Sequence, residues 1–259
     1  MRHPALVSTA HRPWPVPSRA WSVTMRWQDL LFLHWPVPAD ALRALLPPGL
    51  ELETFDGRAW LGVVPFVMAR TRFRALPPVP TAHTFAELNL RTYVRPTDPA
   101  DPRRGVWFFS LDAASRLAVE GARLGFGLPY FAACMHTASS EGEVAYRSER
   151  RDRRGPPARF VGSWRPDGDP FTAAPGSFEH FLVERYCLYA VRRGRLVVGE
   201  IAHLPWQLRR AEVELQVCDM TRLCGLELAG APPSALAAVP IDVAAWSAVS
   251  LGKDLGRSE

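Results

Sequence analysis

Three polar side chains that could share one binding site occur at every second position of a single apolar stretch. Glu87, Asn89 and Arg91 lie within FAELNLRTYV, where Leu88 and Leu90 alternate with them. A period of two is typical of a β-strand, in which alternate side chains point to the same face. We therefore predict that the three polar side chains could converge in a pocket. An arginine there suits a carboxylate ligand, which it can bind through a two-pronged hydrogen bond.

The same alternation is also compatible with a strand whose polar face meets solvent. In that interpretation Glu87 and Arg91 form a surface ion pair, which contributes little to stability. The pattern alone leaves both interpretations open.

Histidine could supply acid/base groups or metal ligands, because its side chain titrates near neutral pH. His34 lies within an apolar, strand-like run, His136 lies in another predicted strand, and His203 follows a third. If two of them converge, they could act as acid and base; otherwise each is a hydrogen-bonded core residue. No H-x-H or H-x-x-x-H pair and no phosphate-cradling glycine loop is present, so we predict neither a metal nor a cofactor.

The run RSERRDRRG, which contains the arginines between Arg147 and Arg154, could contact phosphate groups. Glu149 and Asp152 dilute its charge, and no aromatic residue interleaves for base stacking. A solvated loop is the simpler interpretation, so we do not expect nucleic-acid binding.

Lysine chemistry is excluded by composition. The chain contains 31 lysine and arginine residues, and Lys253 is the only lysine among them. Because Lys253 lies near the C-terminus, no lysine is available for a Schiff base in a central pocket. The arginine excess accounts for the net charge of +5, but it is thinly spread and is most simply explained by coding bias.

The patterning of the chain indicates many strands and a few short helices. Residues 21–28 alternate strictly, and residues 30–35 are apolar on both faces, as in a central strand. Residues 113–124 read as a helix, residues 166–176 as a loop rich in Pro, Gly and Asp, and residues 241–249 as a terminal strand. We predict an α+β fold that is β-rich, with a largely antiparallel sheet that is curled or closed.

Length and composition favour one globular domain. The chain has 259 residues, of which 47% are hydrophobic and 22% charged. We expect a Pro-rich N-terminal arm at residues 1–20, a single domain at residues 21–250 and a C-terminal tail at residues 251–259. No apolar stretch is long enough for a membrane helix, and the N-terminus does not read as a signal peptide. We therefore expect a cytoplasmic protein without membrane contact, while the oligomeric state stays open.

Four stretches together resemble one bacterial family. They are DLLFLHWPVP with PPGLELETFDGRAWLGVVPF, FAELNLRTYV, GVWFFSLDA through GLPYFAA, and ERYCLYAV followed by HLPWQL. They resemble the YqjF-like proteins, which are domains of unknown function, from about residue 14 to residue 246. Residues 40–51 and 123–131 resemble acetoacetate decarboxylase more distantly. That resemblance implies a cone-like β-barrel with an interior pocket.

The same resemblance bears on the chemistry of the pocket. Where the decarboxylase has Pro-Lys-Lys, this chain has Pro129, Tyr130 and Phe131. A phenol cannot form the iminium that an amine of lowered pKa forms, so Schiff-base decarboxylation is not expected. Tyr130 could instead donate a hydrogen bond or act as a weak acid. The resemblance also places a functional carboxylate near Glu87.

These observations predict an interior pocket for a small organic acid or carbonyl compound. If the protein is an enzyme, we expect non-covalent acid/base catalysis, as in a lyase or hydrolase that uses no Schiff base. The candidate residues are Glu87 and Tyr130 for catalysis, and Arg91, Asn89, His34 and His203 for substrate binding. The alternative is a binding or sensing module without chemistry.

Overall fold

Strands and short helices make up more than half of the chain. A computed structural model of the protein describes residues 3–77, 79–228 and 230–254. Within these residues the α-helices are α1 Ala39–Arg43, α2 Pro80–His83, α3 Arg116–Phe126 and α4 Phe178–Val183. The strands are β1 Val23–Gln28, β2 Leu30–Val37, β3 Leu50–Leu52, β4 Ala59–Phe73, β5 Phe85–Pro96, β6 Gly105–Ala113, β7 Tyr130–Ser140, β8 Glu143–Arg150, β9 Arg159–Phe171, β10 Cys187–Arg192, β11 Arg195–Ala202, β12 Leu208–Cys218, β13 Ser234–Ala238, β14 Ile241–Ala245 and β15 Val249–Asp254. The fold is mainly β with a few short helices, as the patterning predicted.

All of these strands belong to one sheet. Neighbouring strands follow the order β1-β14-β11-β10-β6-β7-β8-β9-β12-β13-β2-β4-β5-β3, and β15 pairs with β11. Two further pairings, β1 with β4 and β5 with β6, link strands that are distant in this order. The paired strands therefore form two closed circuits that share β4, β5 and β6. Most pairs are antiparallel, whereas β6 pairs in parallel with β7 and β10.

Strand β5 is buried on both faces because each face contributes to a different apolar cluster. Leu88 and Leu90 belong to a cluster that also contains side chains of β2, β4, β8 and β9. Phe85 and Tyr93, on the opposite face, belong to a second cluster. We call this second cluster, which includes Phe32, Trp60, Phe66, Phe85, Tyr93, Phe108, Tyr130 and Trp206, the inner cluster. The predicted alternation of β5 is confirmed, and its polar side chains share the face of the inner cluster.

The helices are short, and their ends follow from local sequence. Helix α3 begins after Ser115, whose hydroxyl accepts a hydrogen bond from the backbone N–H of Ala118 at 3.2 Å. It ends at Gly127, which adopts a left-handed conformation with φ of 72°. The helix predicted at residues 113–124 is thus confirmed with shifted ends. Within the described ranges, no helix combines the length and the apolar character needed to cross a bilayer.

Two predicted elements near the C-terminal half differ from the structure. The loop predicted at residues 166–176 is largely strand, because β9 continues to Phe171 and pairs with β12 as far as Leu208. The single terminal strand predicted at residues 241–249 is two strands, β14 beside β1 and β15 beside β11. Pro, Gly and Asp indicate a loop from composition alone, whereas pairing with a distant strand can still satisfy their backbone groups.

The two ends of the chain pack onto the same strand, β11. In the N-terminal arm, Arg12 donates a hydrogen bond to the carbonyl of Ile201, and Trp14 Nε1 donates to a Glu200 carboxylate oxygen at 2.8 Å. Residues 251–254, expected to begin a C-terminal tail, form the end of β15 and pair with β11. Residues 1–2 of the arm and 255–259 of the tail lie outside the described residues.

Candidate functional site

Glu87 and Tyr130 form a hydrogen-bonded pair in the interior. The Tyr130 hydroxyl donates to Glu87 Oε2 at 3.0 Å, and the two residues are only 2% and 8% exposed. Tyr130 is the first residue of β7 and pairs with Leu111 of β6. Leu111 in turn pairs with Asn89 of β5, so the register of the sheet brings Tyr130 close to the polar side chains of β5. The alternative interpretation, in which Glu87 lies on a solvated surface, is wrong.

Burial controls the protonation of this pair. Loss of hydration raises the pKa of Glu87 from 4.5 to about 8, while hydrogen bonds from the side chains of Tyr130 and Asn89 lower it. Burial, and then the proximity of Glu87, raises the pKa of Tyr130 well above its ordinary value. At neutral pH the pair is therefore a mostly protonated carboxylic acid beside a neutral phenol. Such an acid can donate a proton to a bound molecule.

Arg91 is held by a backbone carbonyl and aromatic rings rather than by a carboxylate. Its Nη2 donates to the carbonyl of Leu182 in α4 at 2.9 Å. Its Cζ lies 5.2 Å from the ring centre of Phe32 and 5.7 Å from that of Tyr93. Nε is buried without a hydrogen-bond partner, and no carboxylate of the described residues pairs with the guanidinium. Arg91 therefore keeps donors that could bind an anion.

His34 comes close to Arg91 because the residue between them is a glycine. In the register of the sheet, His34 of β2 lies opposite Gly62 of β4, and Gly62 lies opposite Arg91 of β5. A Cβ atom on Gly62 would lie 3.1 Å from His34 Nε2 and 3.3 Å from Arg91 Cγ. Sequence reasoning missed Gly62. The available signal was a glycine inside an apolar strand, which often marks a close approach.

The hydrogen bonds of His34 determine which ring nitrogen carries the proton. The Tyr93 hydroxyl donates to the carbonyl of Leu182 at 2.9 Å and lies 2.6 Å from His34 Nε2. Because a hydroxyl has one proton, Nε2 must be the donor to the Tyr93 oxygen. Nδ1 is therefore an unprotonated acceptor, and it has no partner among the described residues. Burial, and then Arg91, lowers the pKa of His34 well below its ordinary value, so the ring is neutral.

The other predicted histidines do not join this group. His203 is buried and lies 5.1 Å from Trp206, ring centre to ring centre. Trp206 contacts Phe32 at 5.2 Å, and Phe32 contacts His34 at 6.4 Å, so two aromatic rings connect the histidines without bringing them together. His136 is exposed on β7. Among the described residues, no group of three or more His, Cys, Asp or Glu side chains could hold a metal ion.

Two further polar atoms near His34 and Arg91 are buried without a partner in the described part of the chain. They are Asn89 Oδ1 and Ser234 Oγ. Asn89 lies between Glu87 and Arg91 on β5, and Ser234 of β13 lies directly opposite His34 of β2. Ser234 was not predicted, because nothing in its local sequence distinguishes it from a structural serine. The polar side chains thus lie on β13, β2 and β5, and Gly62 of β4 lies between His34 and Arg91.

Two surface depressions lie elsewhere. One, of about 540 Å³, is lined by residues that include Arg43, Leu46 and Arg95. The other, of about 390 Å³, is lined by residues that include His136 and Arg147. Neither contains one of the six predicted site residues. The candidate site is therefore an interior polar group, and the depressions do not open onto its residues.

The basic run on β8 and the following loop is partly neutralised by carboxylates. Arg150 is fully buried and forms a two-pronged ion pair with Asp112, with a shortest distance of 2.6 Å. Arg154 pairs with Asp152 and Glu120, both at 2.6 Å. Arg150 and Arg154 therefore take part in ion pairs within the protein.

The arrangement of strands is the acetoacetate decarboxylase-like fold. Acetoacetate decarboxylase from Legionella pneumophila superposes with a TM-score of 0.62 at 13% identity, covering 95% of each chain. The enduracididine biosynthesis enzyme MppR in complex with pyruvate also has a TM-score of 0.62, at 15% identity and 95% coverage of each chain. At such low identity these similarities concern the fold alone.

Sequence similarity assigns the chain to a particular family within this fold. The model of the DUF2071 family, described as an uncharacterized conserved protein, matches residues 24–242. YqjF of Bacillus subtilis (strain 168), described as an uncharacterized protein, is 43% identical over 231 residues, which are 89% of this chain and 93% of YqjF. The chain belongs to the DUF2071 family. Both resemblances predicted from the sequence motifs, to YqjF-like proteins and to the decarboxylase fold, are confirmed.

Proposed function

We propose that this protein binds a small organic acid among the side chains of the inner cluster, within a cone-like barrel, and that Arg91 binds the carboxylate. Charge balance carries the proposal. At neutral pH Glu87 is mostly protonated and His34 is neutral, so the half-buried guanidinium of Arg91 has no carboxylate counter-ion among the described residues. A charge that is partly removed from water and has no counter-ion is costly, and a bound monoanion offsets that cost.

The shape of the two groups also matches. A guanidinium presents parallel N–H donors that fit the two oxygens of a carboxylate. Nε of Arg91 has no hydrogen-bond partner in the described part of the chain, and the aromatic rings of Phe32 and Tyr93 limit access of water to it. MppR, which shares the fold, has been seen in complex with pyruvate, a small organic acid. That observation supports the proposed ligand class.

Any chemistry at this site would be non-covalent acid/base catalysis. Glu87, with a pKa of about 8, can give a proton to a reacting oxygen or carbon and take it back near neutral pH. Tyr130 orients the Glu87 carboxyl group through its hydrogen bond. The only lysine of the sequence, Lys253, lies near its C-terminal end, so the proposed chemistry uses no Schiff base.

Calorimetric titration with propanoate and pyruvate at pH 7 tests the binding proposal. Arg91→Met should weaken binding of both ligands roughly 100-fold, because the variant loses a charge-assisted pair whose guanidinium is half-buried. Arg95→Met is the matched control: Arg95 lies on the same strand, but it is exposed and pairs with Glu51 at 2.8 Å. Binding by Arg95→Met should equal that of the unmodified protein. Absence of binding by the unmodified protein up to about 10 mM ligand would refute the proposal.

Glu87→Gln separates an enzyme from a binding module. Glutamine keeps an oxygen for the Tyr130 hydroxyl but cannot transfer a proton. An enzyme should lose turnover of a bound acid while its affinity for that acid changes little. Equal turnover by Glu87→Gln and the unmodified protein would exclude Glu87 as the acid.

A further inference from the structure

We propose that two copies of this chain associate weakly through helix α3, with the two helices antiparallel across a two-fold axis. The contact is independent of the ligand proposed at Arg91. Three features of the outer face of α3 support it: two exposed leucines, two glycines beside them, and an arginine at the end of the helix where its charge is unfavourable.

Two leucines face solvent on α3, although the helix already buries a separate apolar face. Val119 is fully buried, and Ala122 and Phe126 pack against the inner cluster. Leu117 and Leu124 lie two turns apart on the opposite side, and they are 53% and 78% exposed. The solvent face of a helix ordinarily carries polar side chains, so two aligned leucines there indicate a contact surface.

Two glycines beside these leucines leave room for another helix to come close. Gly121 and Gly125 are exposed, and no heavy atom of the described residues lies within 4 Å of a Cβ atom built on either of them. The fold of a single chain therefore does not require glycine at these positions, and glycine is an unfavourable residue inside a helix. A backbone without side chains instead permits close approach by a second molecule.

The symmetry of this surface fits a second copy of the chain. Gly121 lies near the middle of the stretch from Leu117 to Leu124. When the two-fold axis passes beside Gly121, Leu117 of each helix meets Leu124 of the other, and the two Gly121 residues face each other. The same patch then serves both subunits, as in the isologous interfaces of most homodimers.

Charge favours the antiparallel arrangement of the two helices. Arg116 is the first residue of α3, where a positive charge opposes the helix dipole, and the first turn contains no acidic residue. In an antiparallel pair, Arg116 of each copy lies beside the C-terminal turn of the other helix, whose dipole attracts a cation. A parallel pair would instead bring the two Arg116 side chains together.

The length of α3 limits the strength of the dimer. The helix has 11 residues and is about 16 Å long, so two such helices bury less than the roughly 1,200 Å² of a stable interface. We therefore expect a dissociation constant on the order of 10–100 µM. The protein should be monomeric when dilute and dimeric when concentrated.

Sedimentation velocity of the unmodified protein from about 1 to about 300 µM tests the proposal. Leu124→Arg should weaken association at least about 10-fold, because it places a charge in the apolar contact. Leu45→Arg is the matched control, since Leu45 is 41% exposed and lies outside α3. A monomer over the whole range, or a dimer that Leu124→Arg leaves unchanged, would overturn the proposal. A monomer that sediments with anionic lipid vesicles would assign the leucines to a membrane surface and would also overturn it.

Opposite charges at Gly121 test the position of the two-fold axis. Gly121→Glu and Gly121→Lys should both fold, because a Cβ atom there meets open space and both new residues favour a helix. Each variant alone should stay monomeric at about 300 µM, since like charges meet at the axis. An equimolar mixture of the two variants should dimerise again. Absence of dimers in the mixture would overturn the antiparallel arrangement about Gly121.

Discussion

The protonation of Glu87 should be visible in the pH dependence of stability. Burial raises the pKa of this carboxyl group from 4.5 to about 8 in the folded protein. Between these two values the unfolded chain releases a proton that the folded protein keeps, so stability falls as the pH rises. The stabilising contribution is complete below pH 4.5 and is lost by about pH 8. Since one pKa unit corresponds to about 1.4 kcal/mol, Glu87 should lower the free energy of unfolding by roughly 3 to 4 kcal/mol between pH 5 and pH 8.

Glu87→Gln isolates this contribution, because glutamine does not titrate and still accepts a hydrogen bond from Tyr130. Relative to the unmodified protein, the variant should gain roughly 3 to 4 kcal/mol in free energy of unfolding from pH 5 to pH 8. Urea unfolding, followed by tryptophan fluorescence at several pH values, measures this difference. Glu51→Gln is the control. The Glu51 side chain is 47% exposed and pairs with Arg95, so its effect should stay within about 0.5 kcal/mol at every pH.

One result would refute the reasoning. If the difference between Glu87→Gln and the unmodified protein is the same at pH 5 and pH 8, Glu87 titrates alike in the folded and unfolded chain. The carboxyl group would then be ionised at neutral pH and could compensate the charge of Arg91. The argument for an anionic ligand would fail with it.

Three further substitutions probe the surroundings of the site and the rest of the fold. Gly62→Ala places a Cβ atom 3.1 Å from His34 Nε2, so it should lower the free energy of unfolding in urea by about 1–3 kcal/mol. It should also weaken propanoate binding in calorimetry. Unchanged affinity would contradict the close-approach role of Gly62. Gly121→Ala, in a helix where no heavy atom lies within 4 Å of the new Cβ, should raise stability by up to about 1 kcal/mol, and a lower melting temperature would contradict this. Asp112→Ala leaves the guanidinium of Arg150 buried without its carboxylate and should cost about 3–5 kcal/mol in urea unfolding; a loss below about 1 kcal/mol would show that the pair is dispensable.

Elements with strict periodicity could be predicted from the sequence, whereas elements defined by distant pairing could not. The alternation of residues 85–94 predicts a strand because its two faces bury different side chains, and β5 confirms it. Residues 166–171 have the composition of a loop, yet they continue β9 because β12 satisfies their backbone groups. The missed contributions of Gly62 and Ser234 have the same cause. Each matters only through its register with His34 on a neighbouring strand.

For the candidate site, the sequence by itself determined which side chains share a face of β5 and that the chain has a single lysine, Lys253. It could not decide whether that face meets solvent or the interior, because a strand alternates in the same way in both cases. Only the tertiary structure decided this, by burying β5 on both faces and bringing Tyr130 to Glu87. Burial then sets the chemistry: loss of hydration keeps Glu87 protonated and His34 neutral, and Arg91 is left without a carboxylate partner among the described residues.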